Sequence, residues 1–137
     1  MHRHDDQAPA LCVLASGSSG NCSVLRSAGG RLVLIDAGLS PKRTAQALER
    51  VGCGLQDVAA IVLTHLDHDH FYASWSSAIR RRLPPDARLW VHASHAGERS
   101  LAPLHEAGRV ETFNDRPFEP ADATIFTSKM ARHDAEG

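Results

Sequence analysis

A chain of 137 residues is sized for one domain around one core. Hydrophobic residues at 42% and charged residues at 23% exclude a wholly disordered chain, and no apolar run approaches membrane-spanning length. A balance of 15 basic against 16 acidic residues excludes a global basic field, so any contact with nucleic acid rests on a local patch.

Residues 1–9 read as a flexible polar tail closed by Pro9, without the apolar stretch of a signal peptide, and 10–137 as one domain. Leu11 to Ala15 is a short apolar run that reads as a buried strand. Ser16 to Asn21 is turn chemistry throughout, and Cys22 to Arg26 is a second strand. After a turn at Ala28-Gly29-Gly30, Arg31 to Ile35 forms a third strand ending at Asp36-Ala37-Gly38, which predicts an antiparallel hairpin. Ser40 caps the next helix and Pro41 suits its first position; Ala45, Leu48 and Val51 recur at helical spacing, and Gly52 stops it. Ala59 to Leu63 is continuously apolar, as in a strand buried on both faces. Phe71 to Leu83 predicts a helix broken at Pro84-Pro85, and Arg88 to His92 a further strand. Ser94 to Ala107 is helix-prone, interrupted at Pro103 and closed by Gly108; 110–113 and 123–127 complete the strands. Strands first, then alternating helices and strands, predict layered sheets with helices packed outside.

Three cysteines, Cys12, Cys22 and Cys53, fit no zinc-ribbon or disulfide spacing. Buried reduced thiols at Cys12 and Cys22 and a reducing cytoplasm are the expectation.

The chemistry concentrates in His65-Leu66-Asp67-His68-Asp69-His70, directly after the buried strand and hence at a strand's C-terminal edge, where α/β layers place their sites. Imidazole nitrogen and carboxylate oxygen both bind zinc at about 2.0–2.2 Å. A tight turn could bring His65 and Asp67 to one metal and face Asp69 and His70 toward a neighbouring position. Two metals about 3.5–4 Å apart can clamp an ester or a phosphodiester while lowering the pKa of bound water. A polar loop with surface histidines is the bland alternative, and four donors after a buried strand outweigh it.

These residues resemble the signature of the metallo-β-lactamase superfamily, His-x-His-x-Asp-His, with Asp67 standing where the family has its second histidine. A similar His-x-Asp-x-Asp-His form occurs in the metallo-β-lactamase-like part of DNA-uptake channel proteins. Leu34 to Gly38 is similar to the family's early strand ending in Asp-x-Gly, in which Asp36 would support the site loop without binding metal. Ile61 to His65 resembles the strand entering the motif. Leu14 to Cys22 resembles the opening of the YycJ-like (WalJ-like) branch, regarded as DNA exonucleases, in which a His-Asp-Ala sequence supplies the next metal ligand; here His133-Asp134-Ala135 stands at a suitable distance.

The resemblance implies an α/β (α+β) αββα sandwich and a hydrolase in which metal-activated hydroxide attacks a phosphodiester. It implies that His65, Asp67 and His133 bind a first zinc and that Asp69 and His70 bind a second, with Asp69 also orienting the hydroxide. Manganese is the other candidate, because an oxygen ligand at Asp67 suits it better than imidazole does. The implied substrate is DNA. The family's later bridging aspartate and final histidine have no counterpart after His133, so the expectation is an incomplete sandwich, the N-terminal half plus the start of the second. A hydrolase of a small ester, thioester or lactone, and a truncated non-catalytic metal- or partner-binding module, remain the alternatives.

Two weaker signals remain. Ser18, Ser19, Gly20 and Asn21 lie in a turn that could line an anion pocket or form a plain hairpin turn. Arg80-Arg81-Arg82 could grip phosphates or form a solvated helix end. His92 and His95 flank a strand end near the expected metals, as surface or supporting residues, and Trp75 and Trp90 read as core or rim packing.

Overall fold

The computed structural model describes residues 10–16, 20–64 and 73–121. The tail 1–9, Ser18, Ser19, the run His65–His70, the strand expected at 123–127 and His133 lie outside the described residues. Six strands form one sheet in chain order: β1 (Ala10–Ala15), β2 (Cys22–Arg26), β3 (Leu32–Ile35), β4 (Val58–Val62), β5 (Arg88–His92) and β6 (Val110–Phe113). The first two pairings are antiparallel and the last three parallel. Each parallel step is bridged by a helix: α1 (Pro41–Arg50), α2 (Ala73–Arg81) and α3 (Ala102–Glu106). The C-terminal ends of β3, β4, β5 and β6 therefore gather at one edge of the sheet.

Register decides the core. Leu34, Ile61 and Leu89 are partners across β3, β4 and β5, all fully buried on the face that receives the helices. Leu48 of α1, Trp75 and Ile79 of α2 and Leu104 of α3 close this layer. The Trp75 indole N–H donates to the Leu39 carbonyl at 2.7 Å, tying α2 to the loop before α1. On the opposite face Val33, Ala60 and Val62 are buried. Their apolar neighbours among the described residues come from Leu25, Ile35, Trp90 and Phe113 of the sheet and from Phe118 and Ala121 beyond it. Phe113 and Phe118 stack at 4.6 Å, and the buried Trp90 indole nitrogen has no hydrogen-bond partner among the described residues.

Arg109 joins the elements from inside. Its guanidinium donates to the carbonyls of Ala87, Ile79 and Pro84, each at 2.8 Å, and so ties the end of α2 and the Pro84-Pro85 turn to the start of β5.

Three sequence expectations are corrected. β1 forms where the apolar run stands, but as the sheet's edge: Leu11 is 64% and Val13 60% exposed, and Cys12 is an exposed thiol. β1 has one neighbouring strand, and of its residues only Leu14 and Ala15 pack partly against the core. Ser94 to Ala107 is not one helix; two single 3₁₀ turns, Ala93–His95 and Arg99–Leu101, precede the five-residue α3. Gly97 separates the turns, and Pro103 starts α3 instead of interrupting a longer helix, as its missing N–H favours. Val51 is the C-cap of α1 and 47% exposed; the buried stripe is Pro41, Thr44, Ala47 and Leu48. No helix among the described residues is long and apolar enough to cross a membrane.

Candidate metal centre

The edge at which β4 ends is built by Asp36 and Thr64. Asp36 follows β3 and takes a left-handed backbone, φ +70°. Aspartate tolerates this region better than most side chains, because its short polar chain bonds locally. Its N–H continues the ladder to the Val62 carbonyl at 2.8 Å. Its carboxylate then reaches across to β4: Oδ1 accepts the Thr64 N–H at 2.8 Å, and the Thr64 hydroxyl lies 2.9 Å from Oδ1 and 2.8 Å from Oδ2. Thr64 is bonded to His65, so this clamp fixes the backbone from which the donor run departs.

A second backbone contact supports the same corner. Gly38 donates to the Asn21 carbonyl at 2.9 Å, and a Cβ at Gly38 would strike the Asn21 backbone nitrogen and stand 2.7 Å from its oxygen. Gly20, at φ +142°, faces Gly38 so closely that a Cβ there would meet the Gly38 carbonyl oxygen. The glycines on both loops let β2 and the Asp36 turn touch backbone to backbone.

Below them Cys22 is fully buried, and burial pushes its thiol up to about 12, with the nearby Asp36 charge adding to the effect. It is a packing residue, not a thiolate ligand.

His92 ends β5 at the same sheet edge. Its Nδ1 accepts the Ser94 N–H at 3.1 Å, which places the ring proton on Nε2, 3.6 Å from Asp115 Oδ1. Its ring meets Phe113 edge-on at 5.6 Å. His95 lies in the following 3₁₀ turn. Among the described residues no three histidine, cysteine or carboxylate side chains come together as a metal site. Gly20 and Asn21 therefore sit beside the Asp36 corner, while Arg81 and Arg82 line a cleft between α1 and α2, away from that corner in the chain. Sequence reading missed Thr64 as the partner of Asp36, although its place immediately before His65 was a signal. It also missed Arg109, for which no local signal exists.

A family model described as the metallo-beta-lactamase superfamily matches residues 15–85.

The chain belongs to the metallo-beta-lactamase superfamily.

The exodeoxyribonuclease WalJ of Streptococcus pneumoniae is 32% identical over 114 residues, covering 78% of this chain and 42% of that protein. The exodeoxyribonuclease YycJ of Bacillus anthracis is 41% identical over 108 residues, covering 75% and 40%. The metallo-beta-lactamase fold protein YhfI of Bacillus subtilis superimposes with a TM-score of 0.59 at 17% identity, over 88% of this chain and 52% of that one, which bears on the fold alone. The chain thus spans about two fifths of the length of the curated relatives it matches. The metallo-beta-lactamase fold generally binds metal ions, typically zinc. The chemistry of the donors carried past Thr64, two imidazoles and two carboxylates, fits such an ion.

Proposed function

We propose that this chain carries the metal-binding motif of a hydrolase that cleaves phosphodiester bonds in DNA. The observation that carries the reading is the clamp of Asp36 on Thr64: a carboxylate on a strained backbone fixes the one strand end that leads into His65, Asp67, Asp69 and His70. In this reading Asp36 supports the site without binding metal. His65, Asp67 and His133 hold one metal, zinc or manganese, and Asp69 and His70 hold a second. A bound cation there lowers the pKa of the attacking water and neutralises charge on the phosphate. Asp69 orients that water by accepting a hydrogen bond from it. The turn of Ser18, Ser19, Gly20 and Asn21 is the candidate contact for a substrate oxygen. DNA is favoured over a small ester because both relatives are named exodeoxyribonucleases.

The test is release of nucleotides from end-labelled linear duplex DNA by the purified protein, with zinc and then manganese, alongside metal analysis. Wild-type protein holds metal and shortens the duplex; His65→Ala and His70→Ala lose metal and activity together. Equal metal content and equal DNA degradation by the double variant would overturn the reading.

A further inference from the structure

Helices α1 and α2 lie next to each other, and their common cleft carries charged and hydroxyl side chains interleaved with apolar surface. On α1, Lys42, Ala45, Gln46 and Glu49 recur at the spacing of one helix face; on α2, Ser74, Ser77, Ala78 and Arg81 do the same. One part of the cleft, about 330 Å³, is walled by Lys42, Ser74, Ser77, Arg81 and Arg82. A second part, about 500 Å³, continues along α1 and meets the first at Lys42 and Arg82. The apolar faces of the same helices are used elsewhere, with Leu48, Trp75 and Ile79 buried in the core. Lys42, Arg81 and Arg82 are exposed, and no ion pair engages any of them among the described residues. Among the described lining residues Glu49 is the carboxylate; it lies two turns of α1 from Lys42, in the part that Arg82 also lines. Arg80 lines neither part; its Nε donates to the Ser76 carbonyl at 3.2 Å.

We propose that this cleft seats the sugar–phosphate backbone of DNA, a binding surface on the helix layer separate from the metal centre. The inference rests on the nucleic-acid reading above. Three cations and two hydroxyls on one concave surface match the chemistry of phosphate oxygens, which accept from both. Length agrees: Ser74 to Arg81 spans roughly 10 Å of helix, about three phosphates of one strand at roughly 3.4 Å each. In the chain, α2 begins three residues after His70, and its serines precede its arginines.

The experiment measures affinity for a fluorescent, phosphorothioate-linked linear duplex across a range of salt, with the metal-loaded protein. The triple variant Lys42→Ala, Arg81→Ala, Arg82→Ala binds more weakly, and its slope of log affinity against log salt shrinks by about 2.7, roughly 0.9 for each phosphate no longer neutralised. Each single substitution shrinks it by roughly a third of that, which keeps the test alive if the triple variant folds poorly. Arg99→Ala, in the turn before α3, removes a charge and leaves the slope unchanged. Wild-type binding with an unchanged slope in every variant overturns the cleft and leaves the nuclease reading standing. Displacement of DNA from the metal site alone, with poly-glutamate bound tightly at the cleft, makes it a dock for acidic protein and overturns the proposal. Failure of the wild-type protein to bind DNA at all overturns both.

Discussion

Asp36 holds a left-handed backbone that disfavours most side chains by about 1–2 kcal/mol, and its three hydrogen-bonding distances to Thr64 offset that cost. Replacement therefore separates two effects. Asp36→Ala keeps the strain and removes the hydrogen bonds, for a destabilisation of about 2–3 kcal/mol by denaturant unfolding; Asp36→Gly removes the same bonds but relieves the strain, and recovers about 1 kcal/mol. Both variants retain less metal than wild type in elemental analysis, because the strand end before His65 is no longer held. Equal metal retention by all three proteins would separate Asp36 from the site. Cys22 supports a second prediction at the scale of one side chain. Its folded thiol sits at about 12, raised by burial and by Asp36, against 9.0 for an ordinary thiol. The unfolded chain loses this proton first as pH rises, so the contribution is complete below pH 9.0 and is lost between 9.0 and about 12. Stability of wild type falls through that window more steeply than that of Cys22→Ala. At neutral pH, iodoacetamide labels the exposed Cys12 and spares Cys22 until the chain is unfolded.

At the scale of elements, the parallel half of the sheet depends on a few joints. Trp75 pins α2 to the loop before α1, and Arg109 pins the end of α2 to the start of β5. Truncating the arginine removes three hydrogen bonds; the Pro84 carbonyl keeps the Ala87 N–H and the Ala87 carbonyl keeps the Arg88 guanidinium, so the loss falls hardest on Ile79. Arg109→Ala is expected to lower stability by roughly 2–4 kcal/mol at unchanged m-value, measured by urea unfolding. Arg109→Lys recovers only part of that, because a single ammonium cannot reach three carbonyls held in different directions. A near-neutral Arg109→Ala would mean that water replaces the guanidinium and that the joint is not structural. Helix length at this scale is set by single residues. The stretch from Ser94 to Ala107 has helix-forming composition, yet it breaks at Gly97 and its second part is a 3₁₀ turn running into a five-residue helix, so composition summed over a window overstates the helix.

For the whole molecule, the two faces of the sheet are unequal. Helices close one; the other runs apolar from Leu11 and Val13 through Leu25, Val33 and Val62 to Trp90 and Phe113. Exposed apolar side chains on an edge strand promote pairing between chains. Sedimentation equilibrium should show association that grows with concentration, and Leu11→Lys combined with Val13→Lys should weaken it. Association unchanged by the double variant would place the interface elsewhere.

How much of this is legible in the sequence follows from the range over which each signal acts. The candidate metal motif could be proposed from sequence because most of its donors lie within six residues, and the strands are legible because apolar runs bounded by glycine turns are local patterns. The fold follows from the order of those patterns and from the resemblance of Leu34–Gly38 and Ile61–His65 to a known family. Local pattern is silent about neighbours. It cannot tell that β1 lies at an edge, since an apolar run reads the same with one partner or two. Nor can it bring Lys42 beside Arg81 and Arg82, or Thr64 beneath Asp36, 28 residues apart. Sequence determined which segments become strands and which residues could hold a metal, because those properties belong to short stretches of chain. Tertiary structure alone decided which side chains are exposed, which carbonyls Arg109 satisfies and where the cations converge, because each depends on packing between segments that no local period encodes.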